Sequence, residues 1–197
     1  MTTMRLRTRL AAGLLLLAGW AAAPQAHAAY TGLYIFGDSL SDSGNNAIAT
    51  GGAPPTSNTT NADFSKIPYS PSGTYSNGPT WSSSFASALG LSATPSLSLG
   101  GGNNYAFGGA QTWAPGTESP EGYPFSLNAQ TQMYLGGHGG VADSGALYVL
   151  QSGGNNVRAA LEAIGGGADI MTTIASVAAA YAPDPGGRDN PGGVRVS

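Results

Sequence analysis

Leu33-Tyr34-Ile35-Phe36-Gly37-Asp38-Ser39-Leu40-Ser41-Asp42-Ser43-Gly44-Asn45 joins a short apolar run directly to Gly-Asp-Ser. Four apolar residues ended by glycine and a polar pair read as a buried strand followed by a sharp turn. Such a turn holds the Ser39 hydroxyl out at the carboxyl end of a sheet, the edge where open α/β sheets carry their reactive groups. The more familiar nucleophile elbow is Gly-x-Ser-x-Gly. Here Gly37 lies two residues before Ser39, but Ser41 stands where the second glycine would be, and no Gly-x-Ser-x-Gly occurs anywhere in the chain.

Upstream of this block the chain reads as a targeting signal. Arg5, Arg7 and Arg9 form a basic start, Leu10 to Ala23 are almost wholly apolar, and Ala26-His27-Ala28 is a small-x-small site. That is the pattern of a secretory signal peptide over residues 1–28, cut after Ala28. The apolar run is short for a bilayer span, which needs about 20 residues. No other run is long enough, so no membrane span is expected after signal removal. The expected destination is secreted or periplasmic.

Loss of the leader removes three of the seven basic residues and none of the ten acidic ones. Lys66, Arg158, Arg188 and Arg195 remain, so the mature chain is acidic and offers no basic patch to a nucleic-acid backbone. The absence of cysteine excludes disulfides, iron–sulfur clusters and a cysteine nucleophile. One histidine, His138, survives maturation, so a His/Cys zinc site cannot be assembled.

Downstream, strand and helix patterns alternate. Strands are expected over Leu33 to Phe36 and Ala146 to Leu150, with a strand end at Asn103 to Phe107. Trp81 to Leu89 reads as a helix with Trp81, Phe85, Ala88 and Leu89 on one face. Ser126 to Leu135 reads as a short helix, and Val157 to Ile164 as another, closed by Gly165-Gly166-Gly167. A last helix is expected over Asp169 to Tyr181, capped by Asp169, with Ile170, Ile174, Val177 and Tyr181 at helical spacing. Strand–turn–helix repeats of this kind imply an α/β fold with a parallel sheet covered on both faces. Residues 51–80, rich in Pro, Ser, Thr, Asn and Gly, read as a long surface loop.

Four segments in order carry a family resemblance. Gly37-Asp38-Ser39-Leu40 resembles the first motif of the GDSL, or SGNH, serine esterases and lipases. Tyr75 to Trp81, followed by Ala88-Leu89-Gly90-Leu91, is similar to the stretch before the family's second motif. Asn104-Tyr105-Ala106-Phe107-Gly108-Gly109-Ala110 resembles that second motif, and Ser152-Gly153-Gly154-Asn155-Asn156 resembles the third, Gly-x-Asn-Asp. The resemblance spans Leu33 to about Tyr181. It implies a three-layer, SGNH-hydrolase-like (flavodoxin-like) parallel sheet flanked by helices. It also implies hydrolysis of a carboxylic ester through an acyl-enzyme, without metal or cofactor. The substrate would be a small-molecule, lipid or glycan ester.

The resemblance assigns the nucleophile to Ser39 and the oxyanion donors to the Ser39 N–H, the Gly109 N–H and the Asn155 side-chain amide. The chemistry needs such groups, because a serine hydroxyl requires a base and the developing carbonyl charge requires fixed donors. Gly108 is a one-residue alternative to Gly109. Asn156 departs from the family's aspartate, while Asp42 and Asn45 read as supports of the first turn. The family's C-terminal Asp-x-x-His, source of the base and its orienting acid, does not occur in this sequence. His138, set in Gly136-Gly137-His138-Gly139-Gly140, reads as an exposed loop histidine rather than a substitute base. Residues 183–197, Pro/Gly-rich and aperiodic, read as a disordered tail. The expectation is therefore a signal peptide, an SGNH-type domain over 29–182 that stops short of its last elements, and a tail. As written, the chain should have little or no ester hydrolase activity. A catalytically dead secreted binding module with the same fold is the alternative.

Overall fold

The computed structural model describes residues 30–51, 73–117 and 119–181. The expected leader, most of the 51–80 loop and the tail lie outside the described residues. Two strands and five helices follow in the order β1 (Leu33–Gly37), α1 (Asn45–Ala49), α2 (Trp81–Ala88), α3 (Leu127–Gly137), β2 (Leu147–Gln151), α4 (Gly154–Gly165) and α5 (Ile170–Tyr181). The fold is α/β, with a small parallel sheet.

β1 is the centre of the molecule because its side chains are apolar on both faces, as a parallel strand covered from both sides requires. Leu33 and Ile35 point to one face, where they pack with Ala86 of α2 and with Leu147 and Val149 of β2. Phe36 points to the other, against Tyr105 and Tyr134 of α3, with Tyr34 and Tyr148 beside them. Burying a side chain such as Ile35 or Phe36 is worth about 1.5–3 kcal/mol.

β2 runs parallel to β1, pairing Leu33 with Leu147 and Gly37 with Gln151. On the other edge of β1 the expected strand end at 103–107 is present without becoming a regular strand. Ile35 N–H donates to the Asn103 carbonyl at 3.0 Å, Tyr105 N–H to Ile35 at 2.7 Å, and Phe107 N–H to Gly37 at 3.0 Å. Gly37 has to be glycine: a Cβ there would lie 2.7 Å from the Gln151 carbonyl oxygen.

Four of the five helices fall where the periodicity places them, α1 is one the sequence reading did not expect, and two faces differ from expectation. α2 buries Ser82 and Ala86, and leaves Trp81 and Ala88 exposed. The reason is polar. Ser82 Oγ donates to the Ser41 carbonyl at 2.9 Å and is within 2.6 Å of Thr80 Oγ1, so the helix turns its serine rather than its aromatic residues toward the first turn. In α5, Ile170 and Ile174 are about half exposed, although Asp169 caps the helix by accepting the Thr172 N–H at 2.8 Å. α3 is capped by Ser126, whose Oγ accepts the Ala129 N–H at 3.3 Å. Among the described residues no helix is long and apolar enough to cross a membrane.

Candidate active site

Ser39 sits two residues past the carboxyl end of β1, half-buried, in a turn closed by the Ser41 and Asp42 N–H groups on the Asp38 carbonyl, both at 3.0 Å. Neither its hydroxyl nor its backbone N–H makes a hydrogen bond among the described residues. Its neighbours are tightly held. Asp38 is buried, and its carboxylate accepts from Leu40 N–H at 3.0 Å and from Gln151 Nε2 at 3.1 Å. Gln151, the last residue of β2, also accepts the Ser41 hydroxyl at 2.9 Å. On the other side, Gln130 of α3 is fully buried. Its Oε1 accepts the Gly37 N–H at 2.8 Å, and its Nε2 donates to Gly37 and Phe125 carbonyls at 2.8 and 2.9 Å. Gln130 thus fixes the residue from which the Ser39 turn departs.

Asp42 organises the second half of the turn. Its carboxylate accepts the N–H groups of Gly44, Asn45 and Asn46, which open α1, and the N–H of Gly108 at 3.0 Å. Burial pushes its carboxyl above the ordinary range, opposed by these four donors. Asn45 reaches the Asn104 and Ala106 carbonyls at 2.8 and 2.9 Å. Asn104 in turn donates to the Ser41 carbonyl at 2.7 Å. The 104–110 segment is therefore bound to the Ser39 turn through side chains on both partners.

That binding separates two adjacent glycines. The Gly108 N–H is committed to Asp42. The Gly109 N–H has no acceptor among the described residues, and Gly109 adopts φ 86°, a conformation that favours glycine.

The third segment closes on the second. Asn155, in the first turn of α4, donates Nδ2 to the Ala110 carbonyl at 2.8 Å. A side-chain amide carries two N–H donors, so the second remains. Asn156 is buried, and its Oδ1 accepts both the N–H and the hydroxyl of Thr112, at 3.0 and 3.1 Å. An aspartate could accept these two bonds, so the neutral residue keeps the acceptor while removing a charge. Three turns, those of Ser39, of Gly109 and of Asn155, are thus joined at one end of the parallel strands.

His138 is not with them. It ends α3, its Nδ1 lies 2.7 Å from the Tyr134 carbonyl oxygen, and its ring stacks on Tyr134 at 4.1 Å and meets Tyr34 at 5.2 Å. It is exposed as expected, but it is a fixed helix end rather than a free loop residue. Tyr34 lies three residues before Gly37 on β1, roughly 10 Å along a strand, toward the amino end and away from Ser39.

Reading the sequence alone passes over Gln130, Gln151 and Thr112. Gln151 had a local signal, a polar residue ending an apolar strand. Gln130 had none, because two of its three hydrogen bonds are to the backbone of a glycine 93 positions away.

No protein-family model matches the chain. Among curated proteins, Lipase 1 of Photorhabdus luminescens is 35% identical to it over 150 residues. The chain is similar to a lipase. The match takes in 76% of this chain but only 19% of Lipase 1, so the chain spans about a fifth of that relative.

Proposed function

We propose that this chain carries the nucleophile and oxyanion half of a secreted serine ester hydrolase of the GDSL/SGNH type. Ser39 Oγ attacks the ester carbonyl. The N–H groups of Ser39 and Gly109 and the free amide hydrogen of Asn155 receive the oxyanion, and an acyl-enzyme forms on Ser39 as the alcohol leaves. The observation that carries this reading is the joining of the three turns at the carboxyl end of β1, with the two backbone donors uncommitted among the described residues. The similarity to Lipase 1 supports an ester as substrate, whether a small molecule, a lipid or an acetylated glycan. The Arg-rich start and Ala26-His27-Ala28 support export.

The missing participant is the base. No Asp-x-x-His occurs in the sequence, and His138 faces the other end of β1. Loss of the base in a triad acting as a unit costs on the order of 10⁶ in turnover, and a residual of about 10³–10⁴ over water can survive from oxyanion stabilisation and binding. Hydrolysis by this chain is therefore expected to be slow.

Added imidazole tests the assignment, since it can accept the Ser39 proton from solution. Aryl-ester hydrolysis should rise with imidazole above the rate imidazole gives without protein. Ser39→Ala should abolish that increment, and Asn155→Ala should lower it by about 10²-fold. An increment equal in the parent and in Ser39→Ala would contradict the proposal, and would favour a binding module of the same fold. Fast turnover without imidazole that vanished in His138→Ala would make His138 the base and overturn its exclusion.

A further inference from the structure

Gly108 is held on three sides. The Asp42 carboxylate takes its N–H at 3.0 Å, and its carbonyl oxygen accepts Asn46 Nδ2 at 2.9 Å. The Tyr75 ring lies beside it, so close that a Cβ on Gly108 would come within 2.3 Å of Cε2. Asn46 is buried in α1. Its Nδ2 also donates to the Tyr75 hydroxyl at 2.5 Å, while its Oδ1 has no hydrogen-bond partner. The reverse orientation of this amide would set two oxygens 2.9 Å apart, so the side chain is fixed through its donors. An orphaned buried acceptor costs stability, a cost that a purely structural residue need not carry.

We infer that Asn46 is a positioning residue for the oxyanion site, and that Tyr75 holds Asn46 in that role. The inference rests on the part given above to the Gly109 N–H. The Gly108 carbonyl and the Gly109 N–H belong to one planar trans peptide, so they point in opposite directions. Holding the carbonyl on Asn46 therefore turns the N–H away from Asn46, to a side where it meets no acceptor among the described residues. Without that hold, two adjacent glycines put no side chain of their own in the way of this peptide turning over. The turned peptide would present a carbonyl oxygen where the developing oxyanion needs a donor. A bond to the carbonyl also polarises the peptide, which strengthens its N–H as a donor.

The test compares the purified full chain with two variants. Asn46→Leu stays close in shape and removes the donors, and Tyr75→Phe keeps the ring over Gly108 and removes the hydroxyl. In Asn46→Leu the imidazole-dependent kcat for an aryl ester should fall about 10²-fold, the usual result of losing one oxyanion donor. KM should stay within about twofold, because the lost interaction belongs to the transition state. Tyr75→Phe should lower kcat by about fivefold, the value of one ordinary hydrogen bond. Nuclear magnetic resonance of isotope-labelled protein gives a readout that needs no catalysis. In Asn46→Leu the Gly108 carbonyl carbon should move upfield and the Gly109 amide should shift with it. Circular dichroism establishes folding, and Tyr75→Phe decides the matter if Asn46→Leu does not fold.

A folded Asn46→Leu with the parental kcat, or with the Gly108 and Gly109 resonances in their parental positions, would overturn the inference. So would a change confined to KM, which would make Asn46 a contributor to ground-state binding instead. Its failure is separable from failure of the catalytic proposal. A Ser39-dependent increment that is indifferent to Asn46→Leu would remove the positioning role alone. Moved resonances without any Ser39-dependent increment would remove the catalytic roles, and leave Asn46 holding a peptide that serves no oxyanion.

Discussion

The surroundings of β1 and those of β2, α4 and α5 are built differently. Around β1, buried polar side chains are bound in networks. Asp42 holds four N–H groups, Gln130 makes three hydrogen bonds, and Asn45 and Asn104 cross-link two segments. Around α4 and α5 the surface is apolar and open: Leu150 is 58% exposed, Leu161 64% and Met171 73%. The ion pair there, Arg158 with Glu162 at 3.9 Å on one helix face, is partly exposed and worth a few tenths of a kcal/mol. Among the described residues β2 has a strand partner on one edge only. The lesson is that the Ser39 turn owes its shape to buried polar bonds that allow one arrangement, whereas the Asn155 side depends on few contacts. Rigidity should therefore be concentrated at the Ser39 turn.

Graded substitutions can break that comparison. The largest effect is expected for Asp42→Ala, which strands four buried donors and should cost at least about 3 kcal/mol in urea unfolding. Asp42→Asn, keeping one acceptor oxygen, should cost less. Equal losses in the two would show that the N–H cluster does not hold the turn. Next comes Gln130→Ala, at about 2 kcal/mol, with a fall in the imidazole-dependent rate as Gly37 loses its anchor. A stability loss with an unchanged rate would separate the fold from the site.

Ser126→Ala removes the cap of α3 and should cost about 1 kcal/mol. The smallest effect belongs to the open region. Leu161→Ala should stay within about 0.5 kcal/mol, as exposed positions do. A loss above 1.5 kcal/mol would mean that this surface is covered in solution and that the contrast is false.

Much of this was legible in the chain. β1 and β2 announce themselves as apolar runs ended by turns, and the helices by period and caps such as Ser126 and Asp169. The order of the glycine-rich segments was readable, and so was the lack of an Asp-x-x-His in the sequence. Which of Gly108 and Gly109 keeps an uncommitted N–H was not, because that turns on which N–H Asp42 takes, and the contact spans 66 positions. The buried face of α2 was misjudged for a related reason. Apolar periodicity gives no weight to a serine that is drawn inward by a carbonyl on another segment. The five-residue helix α1 escaped notice because its apolar pattern is too short to read and its N–H groups are satisfied by an aspartate that precedes it. Sequence patterns report what seeks burial, and long-range polar pairing leaves little trace in them.

The central claim is that Ser39 is the nucleophile. Its most direct test is labelling of the purified chain with an alkyl fluorophosphonate, with and without imidazole, followed by peptide mass spectrometry. The account predicts one adduct, on the peptide carrying Ser39, formed faster with imidazole and absent after urea unfolding or in Ser39→Ala. An adduct on another serine, or labelling that persists in the unfolded chain, would contradict it.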